Sequence, residues 1–525
     1  MRAAQRGAGR GRVIVQFDRM PSWNDAVTYG RMGARLGNQL GDGRTFVADA
    51  TAMSLRTLAN DRRVVHVSLD APLKANLDVE DHAILDPSTV WNKNLSATLG
   101  LSGDGATVAV IDSGIDHNAE GEGSIARFFN VLTGTVSAGD NSFDDYGHGT
   151  HVAGIIGGSA SDSQMESGQV KFTGIAPKAR LISLKVLDGA GTGYTSATIA
   201  AINWCIANRV AYNIGVLNMS LSHPVYESYR TDPLCQAVEA AWKAGITVVC
   251  SAGNDGRNGY GTIACPGNDP YVITVGAMNP RGSYERSDHI IATYSAKGPT
   301  VGDHILKPDI LAPGNKVVSW AAFGSTLYND SRVTRFGRAK DTKHGRPFME
   351  LSGTSMSAPV VSGAAALMID QAKRLHFALT PDQIKARLMV TADKTEYDGF
   401  TQGAGYINIS HALNSMSMGW FTALSPRTSL NADGSVLLTD PVSGSRVLWG
   451  DRVLWGDRVL WGNSAVWGDA STVADRVLWG DSAIWGDRVL WGDRVLWGDT
   501  FPTAADDSAG DATFATSIAF DGDAN

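Results

Sequence analysis

The sequence predicts an α/β protein built on a parallel sheet, with a small α+β domain ahead of it. Three observations carry this. TVAVIDSGID (107–116) opens with a β-branched apolar run that stops at Asp112, the pattern of a strand buried on both faces. In HGTHVAGIIGG (148–158) small residues allow close approach, and the apolar run after His151 predicts the start of a helix carrying His148. SGTSMSAP (352–359) leads into the apolar, helix-like PVVSGAAALMI, with Ser355 at its mouth. At 525 residues and 43% hydrophobic content, the chain can bury at least one large core and carries more than one domain.

In residues 1–72, RVIVQF (12–17), a polar helix-like stretch to about residue 36, TFVAD (45–49), ATAMSLRTLAND (50–61) and RVVHVSLD (63–70) read in β-α-β-α-β order. Eleven arginines against six acids leave this segment at +5 within a chain of −8, so the remainder stands at −13. The two parts attract each other. A net-acidic chain gives no footprint for nucleic acid.

The strand at 107–112 puts a carboxylate at its C-terminal end, where open α/β sheets bind ligands. A serine hydroxyl is a poor nucleophile until a base takes its proton, and His148 lies between Asp112 and Ser355 in the chain. VVCSAGNDG (248–256) adds Asn254 after another apolar run. Taken singly, each residue has a plainer reading: Ser355 a helix cap, Asp112 a strand-end cap or cation ligand, Asn254 a turn residue in GND. His148 and His151 suggest a metal pair, but no HExxH glutamate intervenes and no third ligand is evident. His151 reads as a structural, hydrogen-bonded histidine. The G-x-S-x-G elbow of α/β-hydrolases is excluded, because Ser357 holds the last glycine position and acid and base precede the nucleophile.

In this order and with these flanks, Asp112, His148, Asn254 and Ser355 resemble the signature blocks of subtilisin-like serine proteases, over roughly residues 100–414. The resemblance implies a subtilisin-like parallel-sheet catalytic domain with helices on both faces, preceded by a ferredoxin-like prodomain. The prodomain (1–72) would fold against the enzyme as its intramolecular inhibitor until cleaved between about residues 70 and 90. Residues 73–100 would be a linker and N-terminal arm, and 101–414 the catalytic domain. The implied activity is a serine endopeptidase that hydrolyses polypeptides through an acyl-enzyme. Ser355 attacks, His148 moves the proton, Asp112 orients the imidazole, and the Asn254 amide with the Ser355 N–H holds the oxyanion. The acidic triad and oxyanion Asp of the related carboxyl peptidases do not fit His148 and Asn254.

By the same resemblance, GTGYT (191–195) and NMSLS (218–222) are the edges that pair with an extended peptide, through Gly191, Thr192 and Gly193 on one side and Ser220, Leu221 and Ser222 on the other. Ser222 replaces the usual glycine and narrows the S1 rim. ACPG (264–267) corresponds to the S1 wall, and Ala264, with no acid beside it, implies broad specificity with apolar P1 residues. No cofactor is required for the chemistry. Structural calcium is the family's usual ion, with Asp162 and Glu166 in the loop 159–172 as candidate ligands and further carboxylates in DNSFDD (140–145).

Cys205, Cys235, Cys250 and Cys265 are too few and too scattered to define a disulfide framework, and Cys250 lies in a buried strand. No run of 18 apolar residues predicts a membrane span. The resemblance implies secretion, yet after the basic start MRAAQRGAGRGR the apolar run before Asp18 is too short for a signal peptide.

Residues 415–445 read as a polar linker. From 446 to 499 run nine hexads, RVLWGD with variants SAVWGD, SAIWGD and ASTVAD, whose even period is β-like. Eight tryptophans in them suggest docking on the protease or adhesion to a surface, polymer or substrate, against a poorly ordered tail expanded by duplication. Residues 500–525 form an acidic end. Three functions follow for the chain: an active endopeptidase, a silent binding module on the same fold, or an adhesin driven by its repeats. The complete set of nucleophile, base, acid and oxyanion group favours the first.

Overall fold

The computed structural model describes residues 10–75 except 42, and residues 100–447 except 118–124, 159–172, 284, 337–346, 416–422, 431–435, 440 and 442–445. The leading segment is a four-stranded antiparallel sheet of β1 (Arg10–Phe17), β2 (Ala34–Leu40), β3 (Thr45–Thr51) and β4 (Val64–Leu69) in the order β2-β3-β1-β4. Helices α1 (Trp23–Arg31) and α2 (Ala52–Asn60) each start in a capping box, Ser22 with Asp25 and Thr51 with Ser54. This is the β-α-β-β-α-β order of a ferredoxin-like domain. It has one strand more than the sequence suggests, because the stretch expected as helix to about residue 36 ends in β2. That strand lies at the sheet edge and is exposed over most of its middle, so ARLGNQL lacks the alternation that marks a half-buried strand. Val13, Val15, Phe17, Tyr29, Leu55 and Leu58 lie in a core of its own.

The second sheet has nine strands. Its parallel centre is β14 (Ile273–Asn279), β13 (Thr247–Ser251), β11 (Ile214–Met219), β6 (Thr107–Asp112), β9 (Arg180–Lys185) and β7 (Ile125–Asn130), in that spatial order, with β16 (Ile310–Pro313) parallel to β14. Antiparallel β15 (Ile290–Ile291) and β8 (Thr135–Ser137) pair with β14 and β7. Every residue of β6 and β13 is buried, as continuous apolar runs require between helical layers. The helices that matter for function are α3 (His148–Gly157), α4 (Thr195–Tyr212), α5 (Pro233–Lys243) and α6 (Thr354–Arg374). Helix α6 packs across β11, β13 and β14 and against α3.

Two further strands complete the cleft. β10 (Thr192–Tyr194) and β12 (Leu221–Ser222) flank β5 (Pro72–Ala75), and both pairings are antiparallel. The segment expected as the start of a linker is therefore a strand, satisfied on both edges. The leading domain is fastened beside it by polar contacts. The Asp70 carboxylate accepts the Ser196 N–H at 2.8 Å and its hydroxyl at 2.9 Å, at the N-terminal end of α4, where a negative charge is favoured. Arg12 Nε donates to Asp70 at 2.7 Å, and His66 Nε2 lies 2.6 Å from Glu227.

The expected linker 415–445 also differs from the sequence reading. Ala423 and Ser425 are buried, Ser425 N donates to Pro270 O at 2.9 Å, and Thr428 N donates to His304 O at 2.7 Å. Strands Arg427–Leu430, Val436–Thr439 and Arg446–Val447 then form a small sheet. Polar composition hid this, because these contacts run through backbone groups. The hexads beyond Val447 and the acidic end lie outside the described residues. Among the described residues no helix is long and apolar enough to cross a membrane.

Helix α3 sits close to strand Val317–Trp320 at Gly154, where an added Cβ would meet Ser319 Oγ and come within 2.8 Å of the Trp320 ring. Gly154→Ala is expected to destabilise the fold by about 1–3 kcal/mol through overpacking, read as a lower urea midpoint. An unchanged midpoint would mean that α3 has room to shift.

Candidate active site

The carboxyl ends of three neighbouring parallel strands converge on one cleft. β6 ends in Asp112, β11 runs into Ser220–Ser222, and β13 leads to Asn254. Facing them are the first turns of α3 and α6, which begin at His148 and at Thr354–Ser355. Asp112, His148 and Ser355 are all fully buried.

His148 Nδ1–H donates to Asp112 Oδ1 at 2.8 Å, and the same oxygen accepts the Ser113 backbone N–H at 2.7 Å. That bond fixes the tautomer and leaves the Nε2 lone pair outward. Nε2 is buried and has no hydrogen-bond partner among the described residues. Ser355 Oγ donates to the Ser220 carbonyl at 2.8 Å, while Ser220 Oγ donates back to Ser355 O at 2.9 Å. Ser355 lies in the first turn of α6, where backbone N–H groups lack helical acceptors and the helix end is positive.

Asn254 is oriented by the residue before the serine. Its Oδ1 accepts both the Thr354 N–H at 3.0 Å and the Thr354 hydroxyl at 2.9 Å, which turns Nδ2 the other way. Nδ2 is buried without a partner among the described residues. An unsatisfied buried donor costs free energy, and such donors persist where a ligand completes them.

A family model described as the subtilase family, Peptidase_S8, matches residues 103–406. The chain belongs to the subtilase family. It is 36% identical to serine protease AprX of Bacillus subtilis over 377 residues, covering 70% of this chain and 78% of that one. It is 33% identical to subtilisin E of the same species over 317 residues, covering 60% and 67%. Fervidolysin from Fervidobacterium pennivorans, a keratinolytic enzyme related to subtilisin, superposes with a TM-score of 0.60 at 18% identity, covering 82% of this chain and 68% of that one, a likeness of fold alone. This subtilase is a serine endopeptidase, and the family's chemistry needs no cofactor.

Of the substrate-edge residues expected from the sequence, Thr192 and Gly193 pair with Lys74 and Leu73, and Leu221 and Ser222 with Ala75 and Lys74. Gly191 contributes its carbonyl to the Ala75 N–H at 3.4 Å. Ala264 is buried beside Gly253, at the wall expected for S1. His151, weighed as a metal partner of His148, instead places Nε2 2.9 Å from Val317 O and 3.1 Å from Met349 O.

Asp162 and Glu166 lie outside the described residues. Two of the carboxylates of 140–145 have protein partners. Asp144 accepts the N–H groups of Tyr146, Gly147 and Thr150 and the Thr150 hydroxyl, bracing the loop that delivers His148, and Asp145 pairs with Lys185. Sequence reasoning missed Asp144, Thr354 and the strand Pro72–Ala75. Thr354 carries a signal in hindsight, since a hydroxyl residue next to Ser355 can bond across to another strand, but nothing local names its partner.

Burial pushes the His151 imidazole down from 6.5 to about 3. The folded state holds it neutral and the unfolded chain protonates it below pH 6.5, so its stabilisation is complete above pH 6.5 and is lost as pH falls toward 3. The slope in unfolding free energy from this group approaches about 1.4 kcal/mol per pH unit. His151→Gln, which can still donate to a carbonyl, is expected to remove that component in urea titrations across this range. An identical pH profile in the variant would place the acid sensitivity elsewhere.

Proposed function

We propose that Asp112, His148 and Ser355 are the catalytic triad of this endopeptidase, that Asn254 Nδ2 and the Ser355 N–H form its oxyanion hole, and that residues 1–76 are an inhibitory prodomain the enzyme removes itself. The observation that carries this is β5, an extended segment of the chain's own backbone seated between the two substrate edges.

Its register supports one reading of the scissile bond. Leu221 faces Ala75 across the antiparallel pair and Ser222 faces Lys74, which leaves Ser220 for the residue that follows Ala75 in a bound peptide. The Ser220 carbonyl is the group that Ser355 Oγ touches. With Ala75 read as P2, Lys74 as P3 and Leu73 as P4, the proposed cleavage falls after Asn76, at Asn76–Leu77. Leu73 is completely buried, which supports an apolar S4 pocket.

In the reaction, Ser355 Oγ turns from Ser220 to His148 Nε2, gives up its proton and bonds to the scissile carbonyl carbon. The carbonyl oxygen takes the negative charge and is held by Asn254 Nδ2 and the Ser355 N–H. His148 then protonates the leaving amine, and water repeats the sequence to release the acyl group. Asp112 holds the imidazole in the required tautomer throughout. Ala264 offers no charge at the S1 wall, which favours uncharged P1 residues, apolar in foreign substrates and Asn76 in its own chain. The main-chain pairing at β10 and β12 accepts many sequences. The zymogen is kept silent because β5 occupies the substrate edges, while the Asp70–Ser196 contact fastens the leading domain beside them.

A fluorophosphonate probe is expected to label the mature enzyme and not Ser355→Ala, and labelling of that variant would overturn the nucleophile. Asn254→Ala is expected to lower kcat about 10²–10³-fold with little change in KM, a range that comes from the oxyanion asparagine of subtilisin itself. A change in KM alone would make Asn254 a binding residue. N-terminal sequencing of the mature enzyme should read LDVED, from Leu77. Residue 1 still attached to fully active enzyme would refute the prodomain, and another new terminus would refute the register.

A further inference from the structure

Beside the cleft, the buried side chains of His223, Asp232 and Cys265 bring metal-ligating atoms together, with Cys235 next to Cys265, and the peptidase mechanism uses none of them. His223 follows β12, and Cys265 follows Ala264. The two form an antiparallel bridge, with His223 N donating to Cys265 O at 3.1 Å and Cys265 N to His223 O at 2.9 Å. Asp232 caps α5, and Cys235 lies in its first turn. Cys235 and Cys265 have no exposed surface, and His223 and Asp232 are 4% exposed.

The donor atoms of His223, Asp232 and Cys265 all lie within 4.8 Å of one another. Asp232 divides its oxygens: Oδ1 accepts the N–H groups of Leu234 and Cys235, and among the described residues Oδ2 faces the Cys265 sulfur at 3.6 Å. His223 Nδ1 donates to the Pro224 carbonyl at 2.7 Å, which fixes the tautomer and makes Nε2 the ligating nitrogen. This is the outer-shell bond that metal-binding histidines make. The Cys235 and Cys265 sulfurs are 3.7 Å apart, too far for a disulfide at about 2.05 Å. A tetrahedral ion with bonds of about 2.3 Å to sulfur sets two sulfurs about 3.7 Å apart. One carboxylate and two thiolates carry three negative charges against the two of a divalent cation, the imidazole being neutral, and Cys235 supplies its sulfur by a side-chain rotation away from Asn268 Oδ1, now 3.4 Å from it.

We propose that His223, Asp232, Cys265 and Cys235 form a closed structural site for a thiophilic divalent cation of the zinc class. The ion would pin the chain after β12 and the loop Ala264–Pro266 to the N-terminus of α5. The sequence separates these residues by up to 42 positions without a CxxC or HExxH spacing, so composition alone does not reveal them. The proposal does not depend on the triad assignment, because its readout is metal binding.

The test uses the full chain carrying Ser355→Ala, reduced and stripped of metal, then titrated with cobalt(II). The site predicts uptake of about one equivalent, with a sulfur-to-cobalt charge-transfer band and the intense visible bands of tetrahedral coordination. His223→Gln and Cys265→Ser should each weaken cobalt binding at least about tenfold, and Asp232→Asn, which keeps the helix cap, should do the same. Zinc should displace cobalt and raise the Tm of the parent chain. Sub-stoichiometric uptake, bands that persist in both His223→Gln and Cys265→Ser, or a Cys235–Cys265 disulfide in a reduced-and-refolded chain that takes up no metal would each overturn the site.

Discussion

Asp112 Oδ1 and His148 Nδ1 meet at 2.8 Å with both side chains fully out of water, and the rest of the molecule is organised to hold that contact. Burial makes the pairing obligatory, since a carboxylate or imidazole left alone in a dry interior costs several kcal/mol. It also imposes topology. A carboxylate at the end of a fully buried strand needs a parallel neighbour on each side, here β9 and β11, and a helix that starts directly above it, here α3. Once β11 lies beside β6 and β13 beside β11, their carboxyl ends bring Ser220 and Asn254 to the same edge. Helix α6 crosses those strands and carries Ser355 in its first turn.

The same geometry explains how one cleft can serve both restraint and activity. β5 satisfies the backbone groups of β10 and β12, the unpaired edges that an extended substrate would otherwise complete. Asp70 adds a charge at the start of α4, and the opposite net charges of the leading segment and the remainder favour their association. The prodomain as proposed thus blocks the site by using substrate contacts rather than by distorting it.

Much of this was legible in the sequence where chemistry is local. The β-branched run ending in Asp112, the small residues and apolar run that follow His148, and the SGTSMSAP mouth each announce an element and a side chain at its end, and the structure puts all three at one cleft. What was not legible depends on partners far apart in the chain. β2 is an edge strand with little alternation, so its first residues read as the end of the helix before it. Pro72–Ala75 becomes a strand because two distant edges need it, and residues 423–430 are ordered by backbone bonds to 270 and 304 that side-chain composition does not encode. The Cys235–Cys265 approach is of the same kind: four cysteines scattered in sequence looked unrelated until β12 and α5 folded together.

The central claim is that Asp112 holds the His148 Nδ1 proton, and proton NMR of the full chain carrying Ser355→Ala tests it most directly. The account predicts a far-downfield imidazole N–H resonance that is lost in both Asp112→Asn and His148→Gln. A spectrum without that resonance, or one in which it survives Asp112→Asn, would contradict it.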